Sequence, residues 1–230
     1  MALSAVGMPP KWIADELGIT RRTLGRWLDG QTRRVRAPWS LCPKSYAYLL
    51  GLYLGDGHIS AGPRGQRYLT VSCDAAYPEI VGSAKAAIAA VVPGRRVWVT
   101  KPVTERCGRV GCCSRWWPVL FPQHGPGPKH TRRIALVAWQ RSITEAHPRD
   151  LISGLMRSDG SRFVARQRVS GRTYDYARYA FTNRSLDIVG ILCEHLDLLG
   201  IGWTQPRPDY VAIDRRSEVA KLDAFVGPKR

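Results

Sequence analysis

Leu49-Leu50-Gly51-Leu52-Tyr53-Leu54-Gly55-Asp56-Gly57 and Ile152-Ser153-Gly154-Leu155-Met156-Arg157-Ser158-Asp159-Gly160 are the two stretches that decide how this chain folds. Each reads as an apolar helix with small residues four apart: Gly51 and Gly55 in the first, Gly154 and Ser158 in the second. Small residues at that spacing share one helix face, so the two helices can pack with their backbones close together. Each stretch ends in Asp-Gly, and a glycine there suits a helix C-cap. The aspartates are the informative residues. A carboxylate at a helix C-terminus faces the negative end of the dipole. Two such ends packed together add like-charge repulsion. A divalent cation between them removes both objections, and carboxylate oxygens suit Mg²⁺ or Mn²⁺.

The duplication extends outward from these helices. Residues 68–73 and 179–183 both read as strands, and Glu79-Ile80-Val81-Gly82 and Asp187-Ile188-Val189-Gly190 open two further helices. Val97-Trp98-Val99 and Tyr210-Val211-Ala212-Ile213 read as later strands. Gly127-Pro128-Lys129 recurs as Gly227-Pro228-Lys229, and the interval from Asp56 to Lys129 matches that from Asp159 to Lys229 to within about three residues. A shared register makes Lys129 and Lys229 symmetry mates in a chain of two equivalent halves.

Composition bounds the partners. The 230 residues hold 35 Lys and Arg against 18 Asp and Glu, a formal net charge of +17, and 44% are hydrophobic. That is enough apolar content for a packed core, and the basic excess is spread along the chain. A folded protein of this charge calls for a polyanion, double-stranded DNA first. No apolar run reaches a membrane-spanning length and no secretory leader is legible, so the expected setting is cytoplasmic and nucleoid-associated, as a monomer. The six cysteines lack the regular framework of a secreted scaffold and are expected to be reduced.

Residues 1–30 form a separate pattern. Ile13, Ala14 and Leu17 lie on one face of a short helix, Gly18 can end it, and Thr20 can cap a second helix buried through Leu24, Trp27 and Leu28. This resembles the helix-turn-helix of resolvases and related bacterial regulators. The resemblance implies that Arg21, Arg22, Thr23 and Arg26 face DNA; a helical hairpin with a solvated basic face is the plainer alternative. Residues 31–44 read as a basic linker in which Arg33 and Arg34 can track phosphates.

From residue 45 to the C-terminus the two Asp-Gly helices resemble the LAGLIDADG, or DOD-type, motif of homing endonucleases, although only the first copy keeps Gly before its aspartate. The resemblance implies an α+β fold of two pseudo-symmetric αββαββα halves, residues 45–148 and 149–230. Their motif helices would meet at the centre, and two curved sheets would form a saddle on the DNA major groove. It also implies Mg²⁺-dependent hydrolysis of the phosphodiester backbone. Asp56 and Asp159 would be the metal ligands, with the backbone carbonyls of Gly55 and Ser158. Lys129 and Lys229 would stabilise phosphate charge or position water. A regulator that keeps the saddle for binding and has lost cleavage is the competing reading, and the helix-turn-helix favours it. The acidic pair and both lysines favour the enzyme.

Base-reading candidates on the hairpins are Arg64, Gln66 and Arg67 in the first half and Arg166, Gln167, Arg168 and Arg172 in the second, with phosphate anchoring or plain solvation as alternatives. Cys107, Cys112 and Cys113, with His124 and His130, admit a zinc site, but the spacing fits no standard finger and buried thiols account for them as well. The run Trp116-Trp117-Pro118-Val119-Leu120-Phe121-Pro122 suits packing of a helix on the sheet better than base stacking.

Overall fold

In the computed structural model, residues 40–100, 107–169 and 171–229 are described. From residue 41 onward they belong to one folded unit, Leu41–Arg230. The predicted helix-turn-helix, with Arg21, Arg22, Thr23 and Arg26, and the linker arginines Arg33 and Arg34 lie outside the described residues.

The unit is α+β and runs through the same order of elements twice. The first half contains α1 (Pro43–Asp56), β1 (Gly57–Ala61), β2 (Arg67–Asp74), α2 (Pro78–Val91), β3 (Val97–Thr100), β4 (Cys107–Cys113) and the short α3 (Trp117–Leu120). A connecting helix, α4 (Ala138–Ala146), leads into the second half. That half contains α5 (Pro148–Ser158), β5 (Gly160–Val169), β6 (Arg172–Thr182), α6 (Leu186–Leu198), β7 (Thr204–Arg207), β8 (Tyr210–Ile213) and α7 (Arg216–Asp223). The sheets have matching antiparallel orders, β1-β2-β4-β3 and β5-β6-β8-β7. The strand beginning at Val97 therefore corresponds to the edge strand β7, and Tyr210–Ile213 corresponds to β4.

The motif helices α1 and α5 form the centre. A methyl group on Gly51 would come within 2.5 Å of the Leu151 carbonyl oxygen and 2.7 Å of the Leu155 nitrogen, and one on Gly154 within 2.9 Å of the Gly51 Cα. Backbone meets backbone, so any side chain at either position would push the helices apart. Around this seam Leu49, Leu50, Leu52 and Leu54 of α1 and Leu151, Ile152 and Leu155 of α5 are buried. Each contributes on the order of 2 kcal/mol of apolar burial. That burial offsets the cost of bringing two acidic helix ends together.

The glycines after the aspartates do not act as left-handed C-caps. Gly57 has φ −89° and ψ 149°, already extended, and Gly160 opens β5. Close approach explains them instead. A Cβ on Gly57 would lie 2.5 Å from the Tyr53 Cα, and one on Gly160 would lie 2.5 Å from the Met156 carbonyl oxygen. The chain turns directly from helix into strand, with no room for a side chain at the corner.

Side chains on each sheet divide by alternation into a covered and an open face. In the second half Tyr179, Phe181, Val211 and Ile213 point into the core. In the first half Ile59, Leu69, Val71, Val110 and Cys112 do the same. Trp117 is fully buried, stacks with Phe121 at 5.8 Å and donates its indole N–H to the Cys112 carbonyl at 2.9 Å. The tryptophan run packs a helix on the sheet.

Candidate active site

The site is built where α1 and α5 end. Gly55 and Ser158 face each other across the seam: a Cβ on Gly55 would lie 2.5 Å from the Ser158 Cβ and 2.8 Å from Asp159 Oδ2. This close crossing delivers Asp56 and Asp159 to one place. Asp56 is exposed and Asp159 half-buried.

Each lysine of the repeated Gly-Pro-Lys returns to the carbonyl just before its own aspartate. Lys129 Nζ donates to the Gly55 oxygen at 2.7 Å, and Lys229 Nζ donates to the Ser158 oxygen at 3.0 Å. The last helical carbonyls lack intrahelical partners, so an ammonium there satisfies an acceptor and complements the dipole end. The Lys129 ammonium also lies over the Tyr53 ring, 5.2 Å from its centroid. The two halves thus present the same construction.

The four groups form one electrostatic cluster. Burial pushes the Asp159 carboxyl up to about 6; the neighbouring Asp56 charge adds to this, while the Asn183 hydrogen bond and both lysines oppose it. Partial desolvation by the surrounding groups also raises Asp56, although it still reaches solvent, against the pull of Lys229 and Lys129. Burial lowers Lys129 to about 8, with Asp159 and Asp56 resisting. Lys229 is lowered for the same reason. Acids raised and bases lowered together describe a half-dehydrated site in which every charged form is held at a cost.

The halves differ in what supports each aspartate. Asn183 Nδ2 donates to Asp159 Oδ2 at 2.7 Å, while Asn183 Oδ1 accepts the Ser185 backbone N–H at 2.8 Å. In the pairing register Gly57 lies opposite Val71 as Gly160 lies opposite Phe181, so Cys73 occupies the position of Asn183. Burial, with the Asp56 charge adding to it, raises the Cys73 thiol to about 12. Asn183 was not among the residues singled out from sequence, because nothing in a strand-end asparagine marks it until the sheet is assembled. His58, after the first Asp-Gly, is exposed, and burial, Lys129 and Arg109 lower its pKa.

The candidate base-reading residues are divided by strand alternation. Arg64 lies in the exposed turn of the first hairpin with φ 56°. Gln66 Oε1 accepts from the Tyr68 hydroxyl, and Arg67 donates to the Gln66 carbonyl at 3.1 Å. In the second hairpin, Gln167 and Arg172 have the parity of the open face. Arg166 and Arg168 have the parity of Tyr179 and Phe181, whose face the helices cover nearer the core. Arg166 is paired there with Asp175 at 3.0 Å. Among the described residues no group of three or more His, Cys, Asp or Glu could hold a metal ion; Cys112 is fully buried, while Cys107 and Cys113 are half-buried. No helix among the described residues is long and apolar enough to cross a membrane.

No family model matches the chain, and no curated protein matches it. Solved structures do. The homing endonuclease I-DmoI in complex with DNA and Mn is 14% identical over 82% of this chain and 98% of that one, with a TM-score of 0.49. The LAGLIDADG meganuclease I-AabMI bound to uncleaved DNA is 13% identical over 78% and 82%, with a TM-score of 0.47. The homing endonuclease I-WcaI bound to its DNA recognition sequence is 10% identical over 83% and 84%, also with a TM-score of 0.47. These similar structures are LAGLIDADG homing endonucleases.

Proposed function

We propose that this protein is a site-specific double-stranded DNA endonuclease of the homing-endonuclease type. The observation that carries the proposal is the paired construction at the two helix ends. Each half supplies one aspartate, and one lysine bound to the carbonyl beside it. A protein that only binds DNA gains nothing from two partly dehydrated carboxylates held together, and folding pays for them.

The donor set fits a hard divalent cation, Mg²⁺ or Mn²⁺. Asp56 and Asp159 are its ligands, and the Gly55 and Ser158 carbonyls each keep a second lone pair beside the one their lysine occupies. When bound, the metal supplies a water of lowered pKa and neutralises charge on the phosphate oxygens. The remaining work falls to the chain. Asp56 and Asp159 would hold the cation from the ends of the two packed motif helices, one from each half. Asn183 holds one oxygen of Asp159 and leaves the other free. Lys129 and Lys229 place positive charge where negative charge develops on the phosphoryl oxygens, and their carbonyl bonds keep them there before substrate arrives.

The test is incubation of the protein with a randomised duplex library and Mg²⁺, alongside Asp56→Asn and Asp159→Asn. Cleavage by the wild type that both substitutions abolish supports the proposal. Specific binding by the wild type without cleavage replaces it with a DNA-binding regulator, and cleavage that survives both substitutions refutes the site assignment.

A further inference from the structure

The two hairpins that leave the aspartates differ in length and in surface. β1 has five residues and β5 has ten, although both start at the residue after an aspartate. At roughly 3.4 Å per residue the first reaches about 17 Å from the centre and the second about 34 Å. Along DNA, where a base pair rises about 3.4 Å, those lengths correspond to about five and about ten base-pair steps.

The chemistry of the open faces differs as well. In the first hairpin the open positions are His58, Ser60 and Tyr68; Thr70 shares their parity but is buried. In the second they include Phe163, Gln167, Arg172, Tyr174, Tyr176 and Arg178. Phe163, Tyr174 and Tyr176 are 41%, 40% and 39% exposed, and the two tyrosines stack with centroids 6.2 Å apart. Large apolar side chains left open on one strand face are a recognition surface rather than a core. The open positions of this hairpin hold no acidic residue. Its aspartate, Asp175, pairs with Arg166 on the other face, and Arg162 on that face is bound by Asp223 at 2.7 and 2.9 Å. Arg178, at the inner end, is paired with Asp214 at 3.5 Å; the rest of the face that continues from the Asp159 centre is aromatic and cationic, which suits the polyanion DNA.

We propose that the two halves read DNA by different chemistry and to different depths. The first half makes short, polar contacts close to the cut. The second reads a half-site about twice as long, and Phe163, Tyr174 and Tyr176 discriminate by contact with thymine 5-methyl groups. Gln167 and Arg172 supply the polar contacts between them. The proposal rests on the DNA-binding reading above and assigns the discrimination within it.

The experiment uses the full chain in EDTA, so that binding is read without cleavage. Selection from a randomised duplex library gives the preferred site. Binding is then measured on that site and on copies with thymine replaced by uracil, one position at a time. Phe163→Thr and Tyr176→Thr keep strand-forming residues at exposed positions and leave the fold intact, as circular dichroism checks. The expected site is lopsided about its centre. Uracil on the long side weakens wild-type binding about fourfold per contacted methyl, from the burial of one carbon. In the threonine variant that faces that thymine, the uracil penalty at that position disappears, while the penalties at the other contacted thymines stay as in the wild type. A selected site of equal half-lengths, or a wild type indifferent to uracil on the long side, overturns this inference and leaves DNA binding standing. Absence of any DNA binding at low salt overturns both.

Discussion

Replacing Asp159 by asparagine is expected to stabilise the metal-free protein while destroying its chemistry. The carboxyl titrates at about 6 in the fold against an ordinary value of 3.8. At 1.36 kcal/mol per unit the ionised form costs the folded state about 3 kcal/mol. Solvent screening of a half-buried group and a weaker hydrogen bond from Asn183 reduce the gain to about 1–2 kcal/mol. The sign follows from the direction of the shift. A carboxyl raised on folding is penalised only when ionised in the fold, so the cost is fully present above about pH 6 and absent once pH falls below the unfolded value near 3.9. Thermal unfolding in EDTA at pH 8 should therefore show the variant melting roughly 3–6 °C above the wild type, with the gap closing towards pH 4. Added Mg²⁺ should raise the wild type and leave the variant unmoved, because only the wild type keeps both proposed ligands. A variant that melts at or below the wild type at pH 8 without metal would refute the account of a carboxylate held at a cost.

Other outcomes follow from the packing. Gly51→Ala places a methyl against the Leu151 carbonyl at 2.5 Å and should destabilise the unit by at least about 2–3 kcal/mol in urea unfolding. Tyr46→Phe removes a hydroxyl that donates to the Leu120 carbonyl at 2.5 Å and accepts from Gln140 at 2.6 Å, and should cost about 1–3 kcal/mol by the same measurement. Thiol labelling of the native protein at pH 8 should modify Cys42 first, since it is exposed and its hydrogen bonds with Ser45 lower its pKa. Cys73, Cys112 and Cys193 are buried, with thiols raised to about 12, 11 and 11, and should react only on unfolding. Peptide mapping after timed labelling distinguishes them.

Much of the architecture is legible in the sequence because it is written twice. Gly51, Gly55, Gly154 and Ser158 announce two helices that must touch, Asp56 and Asp159 announce charge at their ends, and the recurrence of Gly-Pro-Lys pairs Lys129 with Lys229. Those readings depend on local spacing and on a repeated register, both of which are properties of the chain itself. The glycines at positions 57 and 160 were legible as necessary but not in their purpose. Only the helix-to-strand corner shows that they are excluded from carrying a Cβ by Tyr53 and Met156.

The rest was decided in three dimensions. No sequence signal says that the lysines reach the carbonyls of Gly55 and Ser158, because that contact joins residues more than seventy positions apart. Nor does any mark Asn183 as the support of Asp159 or Cys73 as its counterpart, since both follow from strand register. The arginines of the second hairpin look equivalent in the sequence, and alternation across the sheet separates Arg166 and Arg168 from Arg172. Composition and repetition therefore determined that this is a basic, two-fold chain with an acidic centre. Tertiary structure alone decided which side chains surround that centre and which face outward, because strand pairing, and not proximity in sequence, sets the direction of each side chain.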